Sequence, residues 1–361
     1  MIIQLYSMKK ALYFMPDISG FTNFVNNTEI EHSIHIIAEL LEILLDNTTL
    51  DLQLVEIEGD ALFMFTTKTP SYEELVQQTT TMLEAFHKHT VNYDNMRICD
   101  CGSCKTTTNL ELKFLVHYGD LTYIKVKKIV KPYGSEVITI HRLLKNKIRT
   151  NEYVLFTNSV YELYQDKMDS SWQKETGTYD LKVLDYFYKN LEEIRNKIVI
   201  AAKISAEIEQ VESKPDLVIE KTFNANIETI NNYLSELKYR HLWDKNVKRI
   251  DFNENKINRI GTEHNCVLKL GNLKFETITA PSADDLVYGE RTTDMIFTKN
   301  FSYLVKLHKV DEITTQVVLN IYLEFTKIGA VMKPHILKMV SKMWNDKLEK
   351  LHQLSKNKIQ T

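Results

Sequence analysis

Phe14-Met-Pro-Asp17-Ile-Ser-Gly20-Phe-Thr22 ends an apolar run, Ala11–Ile18, with an aspartate, a turn glycine and the start of a helix. A short apolar run bounded by turn residues reads as a buried strand. Forty-three residues further on, Glu56-Ile-Glu-Gly59-Asp60-Ala-Leu-Phe-Met64 places a second aspartate in a tight turn. That turn, Glu58-Gly59-Asp60, joins strands predicted at Leu50–Ile57 and Ala61–Thr66. Two carboxylates converging at strand ends suit Mg²⁺ or Mn²⁺, which take oxygen ligands and substrate phosphates. Backbone N–H groups from Ile18 through Phe21 to Thr22, at the helix start, suit a phosphate. An aspartate ahead of a helix is also a cap and Gly-Asp is also a turn, so spacing alone leaves both readings open.

Working outward, strands and helices alternate. Thr28 and Glu31 form a capping box before a helix with Ile30, Ile34, Ile37, Leu41 and Leu44 on one face. Ser71 and Glu74 open another, with Leu75, Met82 and Phe86 on its buried side. Glu111–Tyr118 and Leu121–Val130 read as a hairpin around Gly119-Asp120, followed by a helix from about Glu136 to Lys147 and a strand at Tyr153–Thr157. The mixture predicts an α+β fold: a ferredoxin-like sheet with helices on one face. Residues 190–215 are charged and poor in aromatics, a surface helix or a linker and in either case a domain boundary. Beyond them come a strand at Leu217–Phe223, a helix at Ile227–Leu237 and a strand-rich block from Lys248 to Phe325. A long helix follows, with Pro334 in its first turn and Ile336, Val340, Met343 and Leu351 as a stripe.

Composition bounds the function classes. At 361 residues, with 43% hydrophobic and 26% charged residues, the chain has the make-up of about two globular domains. Only 10 glycines occur, and neither GxGxxG nor GxxxxGK[ST] is among their contexts, which excludes glycine-rich phosphate cradles. The net charge of −3 gives no electrostatic case for nucleic-acid binding. No apolar run is long enough to span a membrane, and the N-terminus lacks the pattern of a signal peptide, so a cytoplasmic protein is expected. Met8, before Lys9 and Lys10, offers an alternative start to Met1.

The two aspartate segments resemble the metal motifs of class III nucleotidyl cyclases. His117-Tyr-Gly119-Asp120 is similar to the segment after that family's dimerisation region, and Tyr133-Gly134-Ser-Glu-Val137-Ile-Thr-Ile-His-Arg142 to its distal catalytic helix. The resemblance covers about residues 10–188. It implies that Asp17, Asp60 and the Ile18 backbone hold the metal, and that Arg142 acts on the transition state as the ribose hydroxyl attacks the α-phosphate. It also implies a homodimer, because metal residues and base-reading residues come from different subunits. Three positions depart from the pattern. Ile138 stands where the family carries a ribose-orienting Asn, Lys131 where it carries a purine-reading Asp or Cys, and Glu56 where adenylate cyclases carry Lys. Glutamate there is the guanylate cyclase residue; it accepts from guanine N1–H and N2, and Lys131 can donate to O6. The resemblance therefore implies a guanylate-like cyclase with a degenerate site, GTP preferred over ATP. The alternative is a Glu56–Lys131 ion pair in a non-enzymatic domain that binds nucleotide or only dimerises, beside a second domain that carries a lipid or hydrophobic metabolite.

Cys99, Cys101 and Cys104 fall within six residues, and Cys266 lies far away. With His87, His89 or His117 as a fourth ligand, the three thiolates fit structural Zn²⁺; a redox-sensitive cluster and three incidental cysteines are the other readings. Cys266, in an apolar strand, reads as a small core residue.

In the second half, Val218-Ile-Glu-Lys-Thr-Phe-Asn-Ala-Asn226-Ile-Glu-Thr, Leu242-Trp-Asp-Lys-Asn246-Val-Lys-Arg-Ile-Asp251 and Arg259-Ile-Gly-Thr262-Glu-His-Asn-Cys266 resemble the strands of START-like, or SRPBCC, domains. That resemblance implies a helix-grip fold, a curved antiparallel sheet around the long C-terminal helix, with a cavity for a lipid or hydrophobic small molecule. Tyr322, Phe325, Met332, Met339, Met343 and Trp344 are its candidate lining, although such a stripe is more often a plain core. His264 and His335 read as ordinary polar residues. The expected organisation is a cyclase-like domain at 8–190, a linker at 191–215 and a START-like domain at 216–356, a pairing suited to signalling.

Overall fold

The computed structural model describes residues 9–26, 30–179, 182–204, 214–269, 271–279 and 285–356. Met8 and Thr28 lie outside the described residues. The chain divides into two units: Met1–Asp94 with Lys105–Ala206, and Asn95–Cys104 with Glu207–Thr361.

The apolar run becomes strand β1 (Lys10–Ser19), followed by α1 (Phe21–Asn26), α2 (Ile30–Asp46), β2 (Gln53–Glu58), β3 (Ala61–Thr66) and α3 (Tyr72–Met96). Then come α4 (Gly102–Thr106), β4 (Glu111–Asp120), β5 (Thr122–Val126), β6 (Ile129–Tyr133), α5 (Ser135–Leu143), β7 (Tyr153–Thr157), α6 (Asn158–Tyr164), β8 (Gln173–Tyr179), β9 (Lys182–Asn190) and α7 (Glu192–Ile204). The first unit's sheet runs β2-β3-β1-β4-β7-β9-β8. β1 is an interior strand, antiparallel to β3 and, through ten paired residues, to the central strand β4. β4 and β7 are parallel and joined through α5, the crossover that parallel strands require.

Tyr13, Met15, Phe63, Leu115 and Leu155 share one core with Ile140 and Leu143 of α5. Their alternates Leu12, Phe14, Leu62, Phe114 and Val116 are also buried. Successive strand residues point to opposite faces, so both faces of the central strands are covered, not one as expected. The box at Ser71 forms as predicted: Ser71 N–H donates to Glu74 Oε2 at 2.7 Å, and Glu74 N–H donates to Ser71 Oγ at 3.2 Å. Leu75, Met82 and Phe86 are buried.

Three local expectations change. Ile30 and Ile34 are exposed, and α2 buries Ile36, Ile37, Leu40, Leu41 and Leu44 instead. The hairpin does not turn at Gly119-Asp120, because β4 continues through both and its partners are β1 and β7. The turn lies at Lys127, whose φ of 55° is left-handed, and β5 pairs with β6 as a separate two-stranded sheet. The β8–β9 pair was not anticipated. The expected linker begins as helix α7, and residues 205–213 lie outside the described residues.

The second unit contains β10 (Leu217–Phe223), α8 (Ile227–Ser235), α9 (Arg240–Trp243), β11 (Val247–Asp251), β12 (Glu263–Leu268), β13 (Gly271–Ile278), β14 (Leu286–Thr292), β15 (Thr298–Asp311), β16 (Thr314–Phe325), α10 (Lys327–Val331) and α11 (Lys333–Ser355). Its strands form one antiparallel sheet, β10-β16-β15-β14-β13-β12-β11. Helix α11 buries Ile336, Val340, Trp344, Leu348 and Leu351 in a core with Val317, Leu319, Ile321, Tyr303 and Phe223. Ile98 joins the same core, and its segment is tied there by an Arg97–Arg259 bridge and by Ile260 N–H donating to the Met96 carbonyl at 2.9 Å.

Candidate functional site

The register pairs Asp17 with Ala61, and Ile18 N–H donates to the Asp60 carbonyl at 3.1 Å, so the β2–β3 turn is pinned against the end of β1. Asp17 is buried and Asp60 half-buried. Burial, and then the charge of Asp17, push the Asp60 carboxyl up to about 6 from an ordinary 3.8. That is how two carboxylates sharing one site respond. A third group, not singled out from sequence, joins them. Lys113 sits opposite Asp17 in the β1–β4 ladder, and its Nζ lies 2.7 Å from Asp17 Oδ2. The available signal was a lysine amid the apolar residues of β4.

The expected phosphate cradle changes, because the Ile18 N–H is spent on Asp60. Phe21 is half-buried and Thr22 exposed. A side chain at Gly59, whose φ is +66°, would meet the Phe21 ring at 4.0 Å. Lys131 Nζ donates to Glu56 Oε2 at 2.8 Å, so the two predicted base readers satisfy each other on an exposed surface.

Arg142 lies in the last turn of α5. A cavity of about 470 Å³ is lined by Val137, Ile138, His141, Arg142, Lys145 and Tyr179, and neither aspartate is among its lining residues. Its size falls in the range of small-molecule sites. His141 fastens α5 to the aspartate hairpin: its Nε2 is 2.6 Å from Glu58 Oε1, its Nδ1 donates to the Val137 carbonyl, and its ring packs edge-on against Phe63. At the start of α5, His117 holds Glu136 at 2.7 Å. Gly119 leaves that space open, since a Cβ there would sit 2.3 Å from Glu136 Oε2.

The predicted zinc histidines are engaged elsewhere. His87 pairs with buried Glu152 and His89 with buried Glu39, at 2.5 and 3.1 Å, while His117 is held by Glu136 and Thr157. The sulfurs of Cys99, Cys101 and Cys104 do converge, within 4.8 Å of one another. The Cys101 and Cys99 sulfurs, with burial, push the Cys104 thiol well up. Cys266 is buried in β12 as expected, and burial raises its thiol to about 11.

In the second unit the expected cavity lining disperses. Met339 and Met332 are exposed, since α11 buries the positions in register with Ile336 and Val340. Tyr322 alternates with buried Ile321 and Leu323 and so faces away from the core. Phe325 and Met343 pack at the core's margin, and His335 is exposed. Met343 also borders a cavity of about 70 Å³ with Trp243, Lys245 and Asp346, a space for waters rather than a lipid.

A buried charged cluster, unforeseen from sequence, occupies this unit. Arg240 Nη1 donates to Glu290 Oε2 at 3.0 Å and Nη2 to Oε1; Tyr288 donates to the same carboxylate. His264 Nε2 stands 3.4 Å from Glu290, and the Arg240 guanidinium lies over the Trp243 ring at 4.6 Å. Burial alone would raise the Glu290 carboxyl, but Arg240 overrides it and holds it well below the usual range. His264, expected to be an ordinary polar residue, is buried.

Residues 37–153 match a family described as a protein of unknown function, DUF2652. The chain is 30% identical over 131 residues to an uncharacterized protein of Mycobacterium tuberculosis, an alignment covering 36% of this chain and 61% of that relative. It is similar to the guanylate cyclase domain of RhGC from Catenaria anguillulae, solved in complex with GTP, at 13% identity and TM-score 0.36 over 50% of this chain and 96% of that one. Similarity to the adenylyl cyclase CyaB of P. aeruginosa is 15% with TM-score 0.35, over 50% and 93%. An uncharacterized protein from Bacillus thuringiensis is similar over 39% of this chain and 98% of its own, at 10% identity and TM-score 0.33. No helix among the described residues is long and apolar enough to cross a membrane.

Proposed function

We propose that the first unit is a divergent class III nucleotidyl cyclase-like domain. It binds a purine nucleotide, GTP in preference to ATP, with Mg²⁺ or Mn²⁺ at a homodimer interface. The observation that carries this reading is the adjacency of Asp17 and Asp60, close enough for one charge to raise the other's pKa. Hard carboxylate oxygens in electrostatic conflict fit a divalent cation, whose charge would relieve that conflict on binding. When bound, the metal polarises the phosphates and neutralises charge developing in the transition state.

The chain's own residues then divide the remaining work. Lys113 must release Asp17 for both carboxylates to serve, and Lys131 must part from Glu56 for both to meet guanine. Arg142, on the cavity of α5, supplies positive charge. Because that cavity lacks both aspartates, the complete site takes its second half from a second copy. The β5–β6 hairpin exposes Val126, Ile129, Val130 and Tyr133, an apolar surface suited to such pairing. The second unit is proposed as a START-like domain, a reading supported by its antiparallel sheet and the long helix α11 packed in its core, that biases the pairing.

The Glu56–Lys131 and Asp17–Lys113 ion pairs favour a second reading, in which the first unit dimerises without turnover. Incubation of the full chain with Mn²⁺ and GTP or ATP separates the two. Cyclic product that disappears in Asp60→Ala supports the enzyme; metal-dependent nucleotide binding without product supports the second reading. The absence of both product and binding overturns the enzyme and its nucleotide site, and leaves a domain that only dimerises.

A further inference from the structure

The cysteine segment belongs to neither reading above, and its geometry is that of a metal knuckle. Cys99 and Cys101 are half-buried and Cys104 is buried. None of them is in a disulfide. Their sulfurs lie within 4.8 Å of one another, and a tetrahedral ion bonded at about 2.3 Å to each would draw them in to roughly 3.8 Å, a small inward movement. Backbone donors already point at the sulfurs: Cys101 N–H to Cys99 Sγ and Cys104 N–H to Cys101 Sγ, each at 3.4 Å. Such bonds favour the thiolate over the thiol, as the second shell of a thiolate–metal centre does. The segment is also anchored on both sides of its first cysteine. Ile98 is in the second unit's core, and Arg97 pairs with Asp100 while its Nη1 donates to the Cys99 carbonyl at 3.4 Å. Two of these thiols are only half-buried, so hydrophobic burial does not account for gathering all three within six residues; a shared soft ion does.

We infer that Cys99, Cys101 and Cys104 form a structural thiolate site for one Zn²⁺ per chain, independent of the nucleotide site. Binding releases the thiol protons to solvent and forms three Zn–S bonds, with no change of oxidation state.

The test uses the full chain, reduced and stripped of metal with chelator, then supplied with Zn²⁺ alone or Co²⁺ alone. Native mass spectrometry is expected to show one Zn²⁺ per chain, and the Co²⁺ form the intense near-ultraviolet sulfur-to-metal charge-transfer band of a multi-thiolate site. Cys101→Ser and Cys99→Ser are expected to lose both signals, whereas Cys266→Ser retains them. Because buried Cys104 is the variant most prone to misfold, the two half-buried positions carry the test. Absence of stoichiometric zinc in reduced protein, retention of zinc in a Cys99→Ser/Cys101→Ser double variant, or a disulfide within the cluster in freshly purified protein would overturn the assignment. Activity with nucleotide plays no part in any of these readouts.

Discussion

Asp60 and Glu290 are both carboxylates withdrawn from water, and burial penalises the ionised form of each. In the first unit the charge that acts most on it is another carboxylate, Asp17, so burial and neighbour act together and the Asp60 pKa rises. In the second unit the neighbour is a bidentate guanidinium, and Glu290 stays ionised inside the core. The first arrangement leaves an unmet demand for positive charge at a half-exposed turn, partly answered by Lys113. The second is satisfied within the chain. The same residue chemistry therefore leaves charge unbalanced in one unit and holds the fold in the other; under the proposed function the first is a place to bind.

The largest test removes the internal answer. Arg240→Ala leaves the Glu290 carboxylate unpaired in the core, and should cost about 3–5 kcal/mol in urea unfolding. Arg240→Met with Glu290→Leu should recover most of that loss, because an apolar pair of similar volume avoids both desolvations. Failure of the double variant to recover would show that Tyr288 and His264 depend on the charge.

A smaller effect has the opposite sign. Asp60 is raised, so its neutral form favours folding below pH 3.8, and that contribution is lost as the pH climbs through about 6. Asp60→Asn should therefore be more stable than the parent above pH 6 by about 1 kcal/mol, discounted for solvent screening, and indistinguishable below pH 3.8. Glu290 is lowered, so its contribution is present above the ordinary value of 4.5 and fades as the pH falls beneath it. Thermal melts of both proteins across that range would expose the contrast.

The smallest effect is expected at the surface. Lys131→Gln breaks the exposed pair with Glu56 and should leave the melting temperature unchanged within error, at low and at high salt. A marked loss would mean that this pair braces β6 against β2, and would count against its being available to a base.

Much of the first unit was legible because its signals are local. The apolar run of β1, the Gly59 turn and the Ser71–Glu74 box each specify their own geometry. The misplaced hairpin shows where local signals mislead: Gly119 reads as a turn residue, but it is glycine to leave room for Glu136, which the sequence places 17 positions away. Lys113, Arg240 and Glu290 were illegible for a related reason. Charged residues in strands and short helices ordinarily face water, and only the register of β1 against β4, or the pairing of Arg240 in α9 with Glu290 in β14, turns these inward. The methionine stripe failed through phase: a helix buries its i, i+4 positions from Ile336, and Met339 falls between them.

The assignment of Asn95–Cys104 to the second unit has a consequence in time. Synthesis delivers this segment before β4 to β9 exist, and more than 100 residues before α11, which completes the core that Ile98 enters. For that interval one apolar side chain and three thiols wait outside any finished domain, while the first unit closes around the gap they leave in its sequence. A cut between the halves of the gene would not separate two modules; it would strand one piece of the second inside the first.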